Sequence, residues 1–545
     1  MEAVTGPAPE YSQLSTKASD LTNNEKKDGV VEDSSHTTLE VEHGVVLKHG
    51  MRLHPQPTSD PLDPLNWSTA RKNSILIILM ALYFEFTYLT TTTVPSFPEI
   101  EEQYRISLDQ VNWTVAIPAL GLSVGPFLWS PLADIFGRRI VFIVGTLIAF
   151  ISTIGAAVAP NYGGYMAARF FQGLGAAPAS TVGMAIINDM FFEYQRGLKL
   201  GLWVLALDMG LLLGPLIGGF MDLVDHYWIQ WLNAIQFGVI LLAEIFFLPE
   251  TLYPRNKMLT RMPYVEGLDH SQSTVDIEKT QREPSVAAEV DLKRTKNLPF
   301  FNFKPVPGMQ HPSILDHYIR FGKMFALPTV SVSVLIYGFG WYWWIISIIT
   351  YIPTAYAQYS PQIQGLLFIG LILGTLFAEL FCSGRLSDWI IVKLMEKNGG
   401  FRVAEMRLWL VYPACLVTTV GLILWGISID KGYHWIVGQI AFFLIAAGIQ
   451  TGNTIMAAYT VDCYPLQSMS VVTFYAVFLN FSAFVDPFFI VPWVEGSGYT
   501  WSFAAQGIIA AFSGLVVMAL IHRYGPRIRA KAGEPGWVNP EYSSL

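Results

Sequence analysis

Twelve apolar runs, arranged as six, a pause and six, constrain this 545-residue chain more than any other feature. They fall at roughly 72–94, 111–133, 138–159, 163–187, 198–222 and 229–248, then at roughly 326–352, 364–385, 406–428, 433–458, 470–494 and 500–522. A bilayer's hydrocarbon core, about 30 Å thick, is crossed by about 20 apolar residues in a helix. Inside it only a helix or a closed barrel satisfies every backbone polar group. The composition agrees: 52% of residues are hydrophobic and only 14% charged, against about 25% charged in soluble domains.

Net charge is −8, and the basic residues lie in particular loops without forming a nucleic-acid-like tract, so no nucleic-acid partner is expected. Cys382 and Cys415 lie inside apolar runs and Cys463 at the end of one, without metal-ligand spacing, so neither a disulfide framework nor a metal site is expected. The N-terminal residues lack the basic flank and apolar run of a cleavable signal peptide, leaving the first span as the membrane address. No nucleophile and base set is evident, which argues against an enzyme.

The apolar pattern divides the chain into a disordered cytosolic tail (1–70), a six-helix bundle (71–248), a cytosolic linker (249–325), a second six-helix bundle (326–523) and a cytosolic tail (524–545). Near the linker's end Ile314, Leu315, Tyr318 and Phe325 recur at helical spacing. They suit either an amphipathic helix on the membrane surface or an extension of span 7. Lys and Arg accumulate in alternate loops, which puts both termini in the cytosol. Leu132-Ala133-Asp134 after span 2 is echoed by Leu386-Ser387-Asp388 after span 8, so the halves read as repeats. The expected fold is therefore an all-α membrane protein, with twelve transmembrane helices in two pseudo-symmetric six-helix bundles.

Span 5 reads Gly210-Leu211-Leu212-Leu213-Gly214-Pro215-Leu216-Ile217-Gly218-Gly219. Glycines at i, i+4 and i+8 form one stripe that lets a neighbouring backbone approach. Pro215 removes a donor, so the helix is expected to bend and a neighbour to take up the freed carbonyl. The carboxylates Glu85, Asp208, Glu379 and Asp486 each lie in an apolar run. Such groups usually line a pathway, although one can also simply satisfy a neighbouring helix. Glu85 shares a stripe with Tyr88 and Thr92, and Glu379 sits four residues from Thr375 and Ser383. Tyr337, Trp341, Tyr342, Trp343 and Trp344 sit in mid-span, away from an interfacial belt, and suit either an aromatic cavity or core packing.

The span 5 segment resembles the antiporter motif of the major facilitator superfamily. Ser130-Pro131-Leu132-Ala133-Asp134-Ile135-Phe136-Gly137-Arg138-Arg139 is similar to that family's loop motif, with Ser130 in place of its glycine and Ile135 in place of a basic residue. Arg169-Phe170-Phe171-Gln172-Gly173 in span 4 resembles the motif whose arginine is tied to proton coupling, and Arg169 shares a face with Gln172. A snorkelling Arg169 at the span's edge is the alternative. Leu65-Asn66-Trp67-Ser68 and Leu248-Pro249-Glu250-Thr251-Leu252 are similar to fungal twelve-span drug:proton antiporters.

The resemblance implies export of a drug-like or secondary-metabolite molecule, driven by a proton gradient and needing no cofactor. The alternative is proton-coupled import of polyamines or other organic cations. Proton coupling is expected of Arg169 from the resemblance, and of Glu85, Asp208 and Glu379 as carboxylates within apolar spans. The gate falls to Asp134, Gly137, Arg138, Arg139 and Asp388, with Asp134 and Arg138 joining charge and helix-end contacts. The hinge falls to Gly210, Gly214, Pro215, Gly218 and Gly219. Substrate contacts would come from Glu85, Tyr88, Gln172, Trp341, Glu379 and Asp486. The expected partners are substrate, protons and the lipid bilayer, the expected state a monomer, and the expected location the plasma membrane, with the vacuolar membrane as the alternative. Asn112 lies in a sequon that this topology turns outward, which makes it the expected glycosylation site.

Overall fold

The computed structural model describes residues 31–32, 38–42, 45–48, 51–52, 55–58, 60–253, 255, 311, 313–399, 402–533 and 535–537. The far ends of both tails and most of the linker therefore lie outside the described residues. Four short strands, Val31–Glu32, Thr38–Glu42, Val45–Lys48 and Met51–Arg52, pair antiparallel in chain order. The expectation of a structureless tail as far as residue 70 is also corrected at its end, because Asp63 is fully buried. It accepts hydrogen bonds from the Thr58 amide and hydroxyl, both at 3.0 Å, and pairs with Arg255 at 3.0 Å. A buried carboxylate needs partners, and these tie the segment to the chain beyond span 6.

From Thr69 the described residues form twelve helices long and apolar enough to cross a membrane. Spans 1 to 6 are Thr69–Tyr104, Leu108–Phe136, Arg138–Ala157, Tyr162–Met190, Gln195–Met221 and Tyr227–Phe247. Spans 7 to 12 are Pro328–Ala355, Pro361–Lys397, Ala404–Asp430, Trp435–Cys463, Pro465–Phe488 and Ile490–Ala532. Gly498, with φ of +75°, interrupts the last of these. The chain reverses there, as the sequence gap between 494 and 500 leads one to expect. Short loops between successive spans make them antiparallel neighbours, so the linker and the chain ends share one face, here the linker face.

Span 5 packs on span 1 along its glycines. A Cβ at Gly210, Gly214 or Gly218 would run into the Phe84 carbonyl, the Thr91 hydroxyl or the Thr92 carbonyl respectively. Side chains of span 1 then reach the span 5 backbone, with Thr87 Oγ1 donating to Leu207 O at 2.5 Å and Thr91 Oγ1 to Leu211 O at 2.8 Å. Leu211 is the residue whose helical donor Pro215 lacks. Thr91 therefore takes up the carbonyl that the proline frees, which is the compensation expected for this span.

The two halves touch across spans 2 and 11, where Ser123 Oγ donates to Val477 O at 2.9 Å. At the end opposite the linker, Gly219 of span 5 lies against the Pro361 carbonyl of span 8, and Trp113 meets Phe488 at 5.4 Å between ring centroids. Three wide π-helical stretches interrupt the second half, at Gly338–Tyr342 in span 7, Ala378–Leu386 in span 8 and Ser513–Val517 in span 12. Such turns shift the faces that flanking side chains present.

Ile314–Lys323 is a helix of its own, with a capping box of Ser313 and Asp316, separated from span 7 by the tight turn Met324–Ala326 and by Pro328. Of the two readings open in the sequence, the separate helix is the one observed. Ile314, Leu315 and Tyr318 are exposed on it. Tyr318 OH donates to Phe127 O of span 2 at 3.2 Å, while Phe321 packs on Phe127 at 4.7 Å and on Phe474 of span 11 at 5.2 Å. One short helix thus touches both halves.

Candidate functional site

At the middle of the bundle one residue of each half meets a shared partner. Gln450 of span 10 donates from its Nε2 to Asp208 Oδ2 of span 5 at 2.7 Å and to Glu379 Oε2 of span 8 at 3.2 Å. Thr454, one turn on, donates to the same Glu379 oxygen at 3.0 Å. Asp208 is 6% exposed, whereas Glu379 is only partly buried. The π-stretch of span 8 carries Glu379 and that of span 7 ends at Tyr342, so these two irregular turns border this point.

Aromatic residues wall the site. Tyr83 of span 1 stacks on Trp203 of span 5 at 3.9 Å, and Tyr475 OH donates to Asn453 Oδ1 at 2.6 Å beside the acid pair. Tyr83 and Tyr342 lie within electrostatic reach of Asp208. Trp341 sits one layer behind. It is 1% exposed, its indole N–H donates to Thr418 at 3.0 Å, and its ring lies against Gly452. Of the two readings of the span 7 aromatics, core packing describes both Trp341 and Tyr342, and Tyr342 is the one beside Asp208.

Arg169 is fully buried, so it does not snorkel. Its Nε and Nη2 donate to Thr114 O at 3.2 and 3.1 Å, Nη1 to Leu89 O at 2.5 Å and to Gln172 Oε1 at 3.1 Å, and Nη2 to Thr90 O at 3.1 Å. All five guanidinium N–H groups are used. The acceptors are the carbonyls a helix leaves open. The donor for Thr114 O would come from Pro118, which has none, and Leu89 and Thr90 belong to the last turn of the α-helix that ends at Thr91. Gln172 extends the network to Gln230 at 3.0 Å, and Gln230 to Tyr165 OH at 3.3 Å.

The other carboxylates stand apart from the central pair. Glu85 lies two residues beyond Tyr83, about 200° around the helix. It is 2% exposed, and its Oε2 has no hydrogen-bond partner. Tyr88, on the same stripe, is 1% exposed and stacks on Phe84. Asp486 is fully buried in a tight turn and accepts from Ser347 of span 7 at 2.7 Å. Glu244 of span 6 escaped the sequence reading. It is fully buried and accepts from Thr146 at 2.9 Å.

In the loop after span 2, Asp134 and Arg138 both join charge contacts, each with its own partner, and Gly137, with φ of +104°, turns the chain between them. Arg138 pairs with Asp189 at the end of span 4, at 2.8 Å. Asp134 pairs with His317 of the linker helix at 3.0 Å, and its carbonyl meets His311 at 2.8 Å. Glu250 closes the start of span 3, accepting from the Arg138 and Arg139 amides at 3.0 and 3.2 Å, a carboxylate at a helix N-terminus. Burial pushes its carboxyl above the ordinary value, and these amide bonds pull it back. Arg139 donates to Ile245 O at 2.8 Å. In the second half Asp388 is exposed, and it is Asp462, at the end of span 10, that repeats the role of Asp189, pairing with Arg402 at 2.7 Å and Arg407 at 2.6 Å.

Asn112 is fully buried inside span 2, whose helix begins at Leu108, so the expectation of glycosylation there is corrected. Replacing Asn112 with glutamine is expected to leave electrophoretic mobility unchanged, and treatment with an N-glycosidase to remove nothing from that position. No group of His, Cys, Asp and Glu that could hold a metal occurs among the described residues.

The comparisons with known proteins agree with this architecture. Residues 75–485 match the profile of the Major Facilitator Superfamily. The protein HOL1 of Saccharomyces cerevisiae is 24% identical over 91% of this chain and 94% of its own length. The efflux pump radE of Floropilus chiversii is 24% identical over 86% of this chain and 83% of its own. Among solved structures, the xylose transporter XylE of E. coli in a partially occluded inward-open conformation superposes with a TM-score of 0.57 at 14% identity, covering 84% of this chain and 98% of that one. Twelve apolar spans in two bundles, joined at mid-depth through Asp208, Gln450 and Glu379 and matched by that profile over most of their length, mark the chain as a member of the Major Facilitator Superfamily, a multi-pass membrane transporter of small molecules.

Proposed function

We propose that this transporter exports a small organic molecule in exchange for protons. The observation that carries the reading is the bridge from Asp208 in the first half through Gln450 to Glu379 in the second. Carboxyl groups exchange protons, and these two also attract positively charged substrates. Substrate and proton therefore compete for one junction between the halves, and each biases the equilibrium between access states. Efflux is the favoured direction because span 5 carries the antiporter-like stripe and because several relatives are named efflux pumps, radE and the MFS-type pump MFS2 of Trichophyton rubrum among them. Import of organic cations is the second reading, since an acid pair serves uptake equally well.

On this reading the protein works as a monomer in the plasma membrane with both termini in the cytosol. The proton gradient is its energy source, and the Arg169 network holds spans 1, 2 and 4 in register around the pathway. In cells lacking their own pumps, a preloaded fluorescent lipophilic cation is expected to leave faster when the protein is present. A proton uncoupler should abolish the difference, and Asp208→Asn should reduce it at least about tenfold, the effect of losing one charged contact. Uncoupler-insensitive efflux would sink the exchange mechanism, and net accumulation would select the importer.

A further inference from the structure

The amide of Gln450 has two N–H bonds, and both are spent on the acid pair, one on Asp208 at 2.7 Å and one on Glu379 at 3.2 Å. A neutral nitrogen between two carboxylates occupies the place where a cationic nitrogen would be held most strongly, because hydrogen bonds between charged groups are roughly twice as strong as neutral ones. The surroundings hold two further groups with nothing to bind. Tyr83 is 7% and Tyr342 8% exposed, each lies within electrostatic reach of Asp208, and among the described residues neither hydroxyl takes a hydrogen bond. An unpartnered phenol oxygen beside the acids is open to a donor.

We infer that Gln450 is an internal stand-in for the substrate headgroup, and that the site takes a ligand whose cationic nitrogen carries N–H bonds: a primary or secondary ammonium. This rests on the reading of the Asp208 and Glu379 junction as the substrate site. A primary ammonium brings three N–H bonds. Two replace those of Gln450 on Asp208 and Glu379, and the third meets the oxygen of Tyr83 or Tyr342. A secondary ammonium satisfies the two acids alone. A quaternary ammonium has no N–H to offer, so displacing Gln450 would leave both carboxylates without donors. Gln450 thus discriminates among cations by the hydrogens they carry, and it keeps the acid pair bridged when no ligand is present.

The displacement also sets affinity. A ligand that must first expel the amide binds only to the fraction of molecules in which Gln450 has swung away, so its apparent affinity is reduced by that fraction. Methionine at 450 keeps the length and flexibility of the side chain without the donor.

The test is isothermal titration calorimetry on the full-length protein in lipid nanodiscs at pH 7, with hexylamine, hexyltrimethylammonium and hexan-1-ol as probes. Hexylamine is expected to bind wild-type protein at least about tenfold more tightly than hexyltrimethylammonium, and Gln450→Met, which removes the amide that a cation must expel, to raise hexylamine affinity about tenfold. The comparison of the two cations needs only wild-type protein, so it stands even where the variant does not fold. Equal binding of both cations to the wild type would overturn the stand-in while leaving a cationic substrate intact, as would unchanged hexylamine affinity in a folded Gln450→Met protein. Binding of hexan-1-ol without either cation, or of none of the three, would overturn the cationic reading of the junction together with the stand-in.

Discussion

Replacing Gly218 with valine is expected to leave no folded transporter to assay. The Thr92 carbonyl of span 1 occupies the space a side chain at 218 would need, and two turns away the Phe84 carbonyl does the same at Gly210. Overpacking a well-filled core typically costs about 1–3 kcal/mol, and more where backbone must move. Here both obstacles are backbone, so spans 1 and 5 would have to separate. Separation would break the Thr87 and Thr91 bonds to Leu207 and Leu211, and the second of these serves the carbonyl that Pro215 leaves open. A fluorescently tagged Gly218→Val protein should lose its monodisperse peak on size exclusion in mild detergent, and transport should fall to background. Gly197, where a Cβ would meet nothing within 4 Å, provides the control, and Gly197→Val should behave as wild type. A well-behaved, active Gly218→Val protein would refute the close packing of these spans.

Arg169→Met is expected to have the second-largest effect, on stability first and transport second. Five hydrogen bonds from one guanidinium satisfy Thr114 O, Leu89 O, Thr90 O and Gln172. Removing it orphans three buried carbonyls, each of which costs about 1–3 kcal/mol, so a loss of about 3 kcal/mol or more follows. Arg169→Lys keeps the charge, but a compact ammonium cannot span the same acceptors, and it should recover only part of the loss. Thermal unfolding monitored in detergent, together with the pH profile of transport, separates the possible roles. A large fall in Tm for the methionine variant, partly restored by lysine, identifies a residue that holds spans 1, 2 and 4 together. An unchanged Tm with a shifted pH profile would instead make Arg169 a coupling residue alone.

Features written in local sequence are legible from the chain alone. The span 5 stripe and Pro215 declare themselves through i, i+4 spacing and a missing donor, and only the identity of the compensating hydroxyl, Thr91, needs the fold. Arg169 is visible as an expensive charge in an apolar run. Its acceptors are not, because they are backbone groups freed by Pro118 and by a helix end some 50 and 80 residues away in the chain.

Gln450 is easily passed over because an uncharged amide in a span raises no alarm, and its importance lies wholly in standing between two acids from other helices. Glu244 hides because it sits one turn from the end of span 6, where a carboxylate normally reaches water. The sequon at Asn112 misleads because the triplet says nothing about where the helix starts. Asp189 and Asp462, the partners of the basic loops, lie at the ends of helices and so resemble ordinary surface acids.

The helix Ile314–Lys323 has a mechanical consequence. It grips Phe127 on one half and Phe474 on the other, and its His317 holds Asp134. The gap between the halves at this face is therefore spanned by ten residues acting as a strap, whatever the length of chain that precedes them. A long connection alone would let the bundles part without limit; a strap gives their rocking a stop. Because Phe321 sits between Phe127 and Phe474, a single change there is expected to loosen the strap's hold on both halves.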